Sequence, residues 1–377
     1  MNFRRTRAMF RKEVLHILRD PRSLIAALAQ PLLMLILFGY ALSLDVDRIP
    51  TVIYDLDRTS VSEGLIKDFR GSRYFDIVAE VHGYRPIEQD VDKSNALLGV
   101  VIPENYSRDL ALGKTAPVQF LLDGSDSNTA SIAMGYAEGM LQGYAQRRRQ
   151  DAEMSRTGSV MQPPIDARIR VWYNTDLVSR NFIVPGLIAV ILMIIAAMLT
   201  SLTVAREWEN GTMEQLLSTP VRPVEMALGK LSAYFVLGIV DMLMSLFVGM
   251  VVFKVPMKGN PVLLLVSSAI FLFGALAWGI LISAMNRNQL SAYQLCTLTS
   301  FLPAFLLSGF IYSLQNMPVV IQFLALFVPA RYFIEIVKGI FLKGIGLELL
   351  WFNLLLLVVY GAAMFYLATK KLRQKVA

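Results

Sequence analysis

The sequence predicts a polytopic α-helical membrane protein with six transmembrane helices and two half-length re-entrant or interfacial helices. A small mixed α/β extracytoplasmic domain is inserted between helices 1 and 2. Three observations carry this expectation. Hydrophobic residues make up 55% of the chain and charged ones 17%, at a mean hydropathy of +0.51, which is too apolar for a soluble globular chain. Six stretches hold roughly 20 mostly apolar residues, the length that crosses about 30 Å of hydrocarbon with every backbone amide bonded within the helix. The first two stretches are separated by about 130 residues of mixed polarity, enough for one small domain.

Residues 1–22 read as a cytoplasmic basic amphipathic helix, 23–44 as the first span, 45–178 as the inserted domain and 179–377 as the rest of the bundle. The later spans fall at about 181–204, 231–253, 262–284, 293–314 and 350–368. Arg4, Arg5, Arg7, Arg11, Lys12, Arg19 and Arg22 precede the first span, a basic lead that resembles a signal peptide. The apolar run that follows is too long for one, so this span is expected to be retained despite the cleavage-like Ala41-Leu42-Ser43.

Basic residues near span ends stay cytoplasmic, which puts both termini and residues 206–230 on the cytoplasmic side of the membrane. The long segment 45–177 carries 20 acidic and 15 basic residues and is expected outside, on the periplasmic face. The basic excess then serves contact with inner-leaflet lipid, and nucleic acid is excluded as a partner. Cys296 is the only cysteine, and His16 and His82, the only histidines, share no cluster. This leaves no intramolecular disulfide and no expected metal site, with both histidines read as bystanders.

Within the inserted segment, residues 49–57, 75–81, 95–103, 116–124 and 168–174 read as strands, with helices at about 62–69, 86–94 and 128–154. Gly113-Lys114-Thr115 is no phosphate loop, because Arg108 stands where the required glycine should be. Gly135, Gly139 and Gly143 form a four-residue strip on the long helix. It packs either on the domain's own sheet or on another copy or protein. No nucleophile with a base is evident here, so the domain reads as a binder or assembly surface.

Residues 317–344 are apolar but broken at Pro329-Ala330-Arg331 into halves too short to cross. Arg331 and Glu335 are spaced to meet on one helical face, holding the turn or touching cargo. Asp241 sits mid-span, where an unpaired charge costs several kcal/mol. It is expected to face the bundle, bonded to a neighbouring helix or lining a transport path.

The segment from Arg206 to Lys230 reads REWENGTMEQLLSTPVRPVEMALGK. Asn210-Gly211 breaks the preceding helix, and Thr212 to Gln215 fits a capping box with Thr212 as N-cap. Pro220 stops the new helix after two turns. Met213, Leu216 and Leu217 then make an apolar stripe that asks for a partner surface. At these residues the chain resembles the permease subunits of ATP-binding-cassette exporters of the type-2 family. The likeness extends to Lys12-Glu13 and Arg19-Asp20-Pro21, to the large inserted domain and to LLSGFIYSLQNMP at 306–318. It is particularly similar to the branch with a large external domain, that of multidrug-export permeases.

The resemblance implies that Arg206, Glu207, Glu209, Gly211, Thr212, Met213, Glu214, Gln215, Leu216, Leu217 and Pro220 form an ATPase-coupling element. It implies a partner cytoplasmic ATPase that uses ATP and Mg, with no cofactor and no catalysis in this chain. A second permease, identical or related, completes the pore, with an external adaptor protein as an optional further partner that the sequence leaves open. Asp241, Arg331 and Glu335 are the intramembrane polar candidates. Walls rich in Phe and Met, such as Phe235, Met242, Phe301 and Phe310, imply an amphipathic or hydrophobic drug-like cargo, with a lipid or lipid-linked glycan as the alternative. A membrane-anchored receptor or scaffold without transport is the competing class.

Overall fold

The computed structural model describes residues 2–42, 48–157, 172–174 and 178–376. The chain divides into two compact units, one of residues 1–43 with 171–377 and one of residues 44–170.

The first unit begins with α1 (Phe3–Arg19) and α2 (Pro21–Ala41), separated only by Asp20. Asn2 caps α1 by accepting a hydrogen bond from the Arg4 amide at 3.1 Å. The apolar residues of α1 are too few for a span, and the face carrying Met9 and Glu13 turns inward, so both are buried.

The second unit runs β1 (Ile49–Asp55), α3 (Ser60–Gly71), β2 (Phe75–Glu80), α4 (Tyr84–Asp92), β3 (Leu98–Ile102), α5 (Tyr106–Ala111), β4 (Gln119–Leu122) and α6 (Ser127–Thr157). The sheet order is β2-β1-β3-β4, with β1 parallel to both neighbours and β4 antiparallel to β3. Period-2 alternation gives it two covered faces. Ile49, Ile53, Leu98 and Val100 meet Leu65 and Phe69 of α3 and Ala133 and Ala137 of α6. Val52 and Val101 meet Ile87 of α4 on the other side. Residues 168–171 of the fifth expected strand lie outside the described residues, and Trp172–Asn174 are not in a strand. The glycine strip of α6 does not pack on its own sheet. Among the described residues a Cβ at Gly135, Gly139 or Gly143 would meet nothing within 4 Å, because Ala133 and Ala137 take the inward positions.

The first unit resumes with α7 (Ser179–Glu209), α8 (Thr212–Leu217), α9 (Pro223–Val251), α10 (Pro261–Met285), α11 (Gln289–Leu306), α12 (Val319–Ala325), α13 (Pro329–Lys338) and α14 (Leu347–Val376). Every residue of α7 from Ile183 to Ala197 is buried, and this helix is the axis around which α2, α9, α10, α11 and α13 pack. Thr200 donates to the Leu276 carbonyl at 2.9 Å, and Gly279 lies against Ala197, so α7 and α10 approach closely.

Four described helices, α7, α9, α10 and α14, are long and apolar enough to cross a membrane, or five spans if α12 and α13, bent by 81°, count as one. Six was the expectation, and two particulars account for the difference. The described apolar stretch of α2 is Ala27–Ala41, and α11 stops at Leu306 rather than reaching Leu314. Pro303 removes one amide donor from α11, and Gly309 with φ +76° turns the chain away.

Candidate functional site

The residues 206–230 are built into a junction of α1, α7, α8, α9 and α11. Gly211 adopts φ +69°, a left-handed conformation that lets α7 end and α8 start within two residues. This replaces the expected capping box. Thr212 is the first helical residue rather than the cap, so its hydroxyl cannot reach the next free amides and donates back to the Glu207 carbonyl at 3.3 Å. Pro220 is exposed, and its carbonyl accepts from the Arg5 guanidinium. Glu225 then fastens both the entry to α9 and the start of α1. It accepts from the Arg222 amide at 3.1 Å and the Asn2 amide at 2.6 Å.

Below this lies a buried ion cluster. Lys230 of α9 has a side chain 1% exposed and places its Nζ 2.8 Å from Glu13 and 2.9 Å from Glu207. Lys12 also pairs with Glu207 and stands 3.6 Å from Glu13. Two acids face two lysines, so the charge balances within the cluster. Burial would raise the Glu13 carboxyl, but Lys230 beside it, and then Lys12, hold it below the usual carboxylate range. Burial would likewise lower the Lys12 ammonium, and the Glu207 contact outweighs this and raises it. Close packing makes the cluster possible. Gly229 sits under α1, where a Cβ would be 3.2 Å from the Thr6 carbonyl oxygen.

Arg206 reaches His16 at 2.9 Å and Gln289 of α11 at 3.2 Å. Glu209 accepts from the Gln289 amide at 3.1 Å and from its side chain at 2.8 Å. A cavity of about 330 Å³ opens between these groups, lined among others by Lys12, Arg206, Thr212, Leu216 and Tyr234. His16, expected to be a bystander, is therefore part of the junction.

The apolar stripe of α8 is corrected as well. Met213 is fully buried and Leu216 half-buried against the chain's own core, while the Leu217 side chain lies outside the described ones. Glu214 and Gln215 are exposed instead. A two-turn helix is too short to stand alone, so it lies down on the bundle and turns its polar edge outward.

The intramembrane candidates are not brought together. Arg331 and Glu335 share no ion pair among the described residues. Glu335 accepts from Asn353 of α14 at 2.9 Å, while the Arg331 Nε is buried without a partner. The approach of α14 thus satisfies the acid before its helical neighbour does. Asp241 is 2% exposed, and among the described residues neither carboxyl oxygen has a hydrogen-bond partner, nor does Ser245 one turn on. Among those residues the expected bond to a neighbouring helix is not formed. The residue lies on the α9 face that carries Gly238, against Leu272 of α10, and Gly249, against Ile188 of α7. Phe310, proposed for a cargo wall, is 2% exposed and packs on Gly186.

Sequence reasoning did not assign Lys12, Glu13, Glu225, Lys230 or Gln289 to the site. A usable signal was present in Glu13, four residues after Met9 on the buried stripe of an amphipathic helix, and in Lys230 at the mouth of an apolar span. An acid and a base in such positions need each other.

The profile of the family described as ABC-2 family transporter protein matches residues 21–370. The chain is 37% identical to the probable multidrug ABC transporter permease YbhS of Escherichia coli (strain K12), over 98% of each chain. It is 32% identical to the probable multidrug ABC transporter permease YbhR of the same strain, over 99% of this chain and 100% of that one. It is 25% identical to the inner membrane transport permease YhhJ, also of strain K12, over 95% of this chain and 96% of that one. With a family profile spanning nearly its whole length and full-length relatives above 30% identity, the chain belongs to the ABC-2 transporter family.

Proposed function

We propose that this chain is the membrane-spanning permease subunit of an ATP-driven exporter. Six crossings, counting α2 and α11, form one half of the path, and a second permease, identical or related, forms the other. The 44–170 unit lies on the periplasmic face of the inner membrane and both termini lie in the cytoplasm, with an adaptor protein extending the path outside. ATP and Mg belong to a separate cytoplasmic ATPase, so this chain transmits movement and catalyses nothing.

The observation that carries this reading is the junction itself. A short helix with an exposed polar edge, Glu214 and Gln215, follows two residues after α7 and is bonded to it through Thr212 and the Glu207 carbonyl. The end of α7 is tied through Glu207 to Lys12 of α1 and Lys230 of α9 and through Glu209 to Gln289 of α11. A push on α8 is passed to the end of α7 and from there to α1, α9 and α11, because those links are ion pairs and hydrogen bonds within packed helices. The full-length relatives described as multidrug permeases support a drug-like amphipathic cargo for this chain. Asp241 is a candidate contact on the route.

Affinity purification of the tagged chain in mild detergent, with identification of co-purifying proteins, tests the reading. An ATPase is expected to co-purify and to be lost when Glu214→Lys and Gln215→Lys are combined. Recovery of no ATPase with the unaltered chain overturns the proposal. Retention by the double variant moves the docking surface away from α8.

A further inference from the structure

The outward face of α1 is built for something the junction does not use. At 100° per residue, Arg7, Arg11 and Leu18 lie within about 40° of one another on the helix, with Arg4 and Leu15 beside them, diametrically away from Met9 and Glu13. Arg4, Arg7, Arg11 and Arg19 are exposed, and none has a side-chain hydrogen bond or ion pair among the described residues. Apolar side chains are set between them: Phe3 is 75% exposed, Leu15 40% and Leu18 60%. Only Asp20 separates α1 from α2, whose stretch Ala27–Ala41 is apolar, so α1 adjoins the expected first span.

We infer that this face is a binding site for anionic phospholipid, with the guanidinium groups of Arg4, Arg7 and Arg11 on the headgroup phosphates and Phe3, Leu15 and Leu18 among the upper acyl carbons. Interleaved charge and hydrocarbon fit a lipid surface and not an acidic protein surface, where the leucines would have no counterpart. Guanidinium forks match phosphate oxygens two at a time. The site rests on the proposed placement of α1 at the inner face of the membrane. Its opposite face holds Lys230 and Glu207, so a lipid bound here restrains the same helix that fastens the junction.

The test uses the purified full-length chain in micelles doped with equal amounts of phosphatidylglycerol and phosphatidylcholine, with bound lipid counted by native mass spectrometry. Phosphatidylglycerol is expected to be preferred, and the preference to fall roughly fivefold per arginine removed at low salt in R7Q, R11Q and R7Q/R11Q. K370Q/K371Q, on the carboxyl-terminal helix, is expected to keep the preference, and R7K/R11K to keep most of it. Size exclusion and helicity confirm folding, and the single variants decide the matter if the double variant misfolds. Equal retention of both lipids by the unaltered chain, or an unchanged preference in R7Q/R11Q, overturns the inference. So does an R7Q/R11Q variant that keeps its lipid but loses a co-purified ATPase, because the face would then dock an acidic protein. Lipid retention is measured on the chain alone, so failure of the exporter reading would leave this result standing.

Discussion

Replacing Lys230 by Met isolates the contribution of the buried cluster. Lys230 touches Glu13 at 2.8 Å and Glu207 at 2.9 Å, in surroundings where the three side chains are 1%, 4% and 7% exposed. Methionine matches the stem of lysine and leaves the packing intact, so the change removes one charge. The two carboxylates then share Lys12 alone, whose side chain is 46% exposed and stands 3.6 Å from Glu13, and the cluster carries a net charge of −1. Breaking a buried pair by removing one partner costs about 3–5 kcal/mol. Since Lys12 persists, the lower end applies, about 3 kcal/mol, or a fall of roughly 6–12 °C in melting midpoint for a unit of this size. Thermal unfolding of the purified chain in one detergent measures it. Combining Lys230→Met with Glu13→Gln and Glu207→Gln should recover most of the loss, because no charge is then buried without a partner. A Lys230→Met chain as stable as the unaltered one would refute the reasoning.

The Glu13 carboxyl is depressed in the folded state, so its stabilising effect is present above its unfolded value of about 4.3 and is lost as pH falls through the folded value. Lys12 is raised, so its contribution is complete below about 10.4 and is lost as pH rises through the folded value. Attachment of α1, followed by limited proteolysis, should therefore hold between about pH 5 and 10, and Glu13→Gln should abolish the acid limb. Gly211→Val should cost about 1–2 kcal/mol because φ +69° is strained for a β-branched residue. Gly211→Asn should be milder, with cleavage within 206–222 as the readout. Gly229→Leu should lift α1 off α9, seen as faster hydrogen exchange in residues 3–19. Asp241→Asn should express normally and alter transport of the cargo, and unchanged transport would remove Asp241 from the route.

Much of the architecture was legible because it depends on local periodicity. The long apolar helices, the break at Pro329 and the position of the short helix after Gly211 all follow from residue spacing and from the fixed φ of proline or the left-handed tolerance of glycine. The period-2 strands of the 44–170 unit were legible for the same reason. The candidate site was legible only along one segment. Glu207 and Glu209 were assigned as coupling residues, yet Lys12 lies 195 positions from Glu207 and Gln289 lies 80 positions from Glu209. No window of sequence contains such pairs.

By itself the sequence determined the class of chain, the positions of the long apolar helices and the family resemblance, since hydrophobic length and turn chemistry are written locally. The tertiary structure decided which polar groups meet. Arg331 and Glu335 are correctly spaced for a pair, but Asn353 reaches the acid from another helix. The leucine and methionine side of α8 suits a partner, but the bundle is nearer and buries Met213. Glu13 and Lys230 are each unfavourable in isolation, and they become a fastening only because Gly229 lets two helices approach within contact. Burial turns spacing into interaction, and burial is a property of the whole fold.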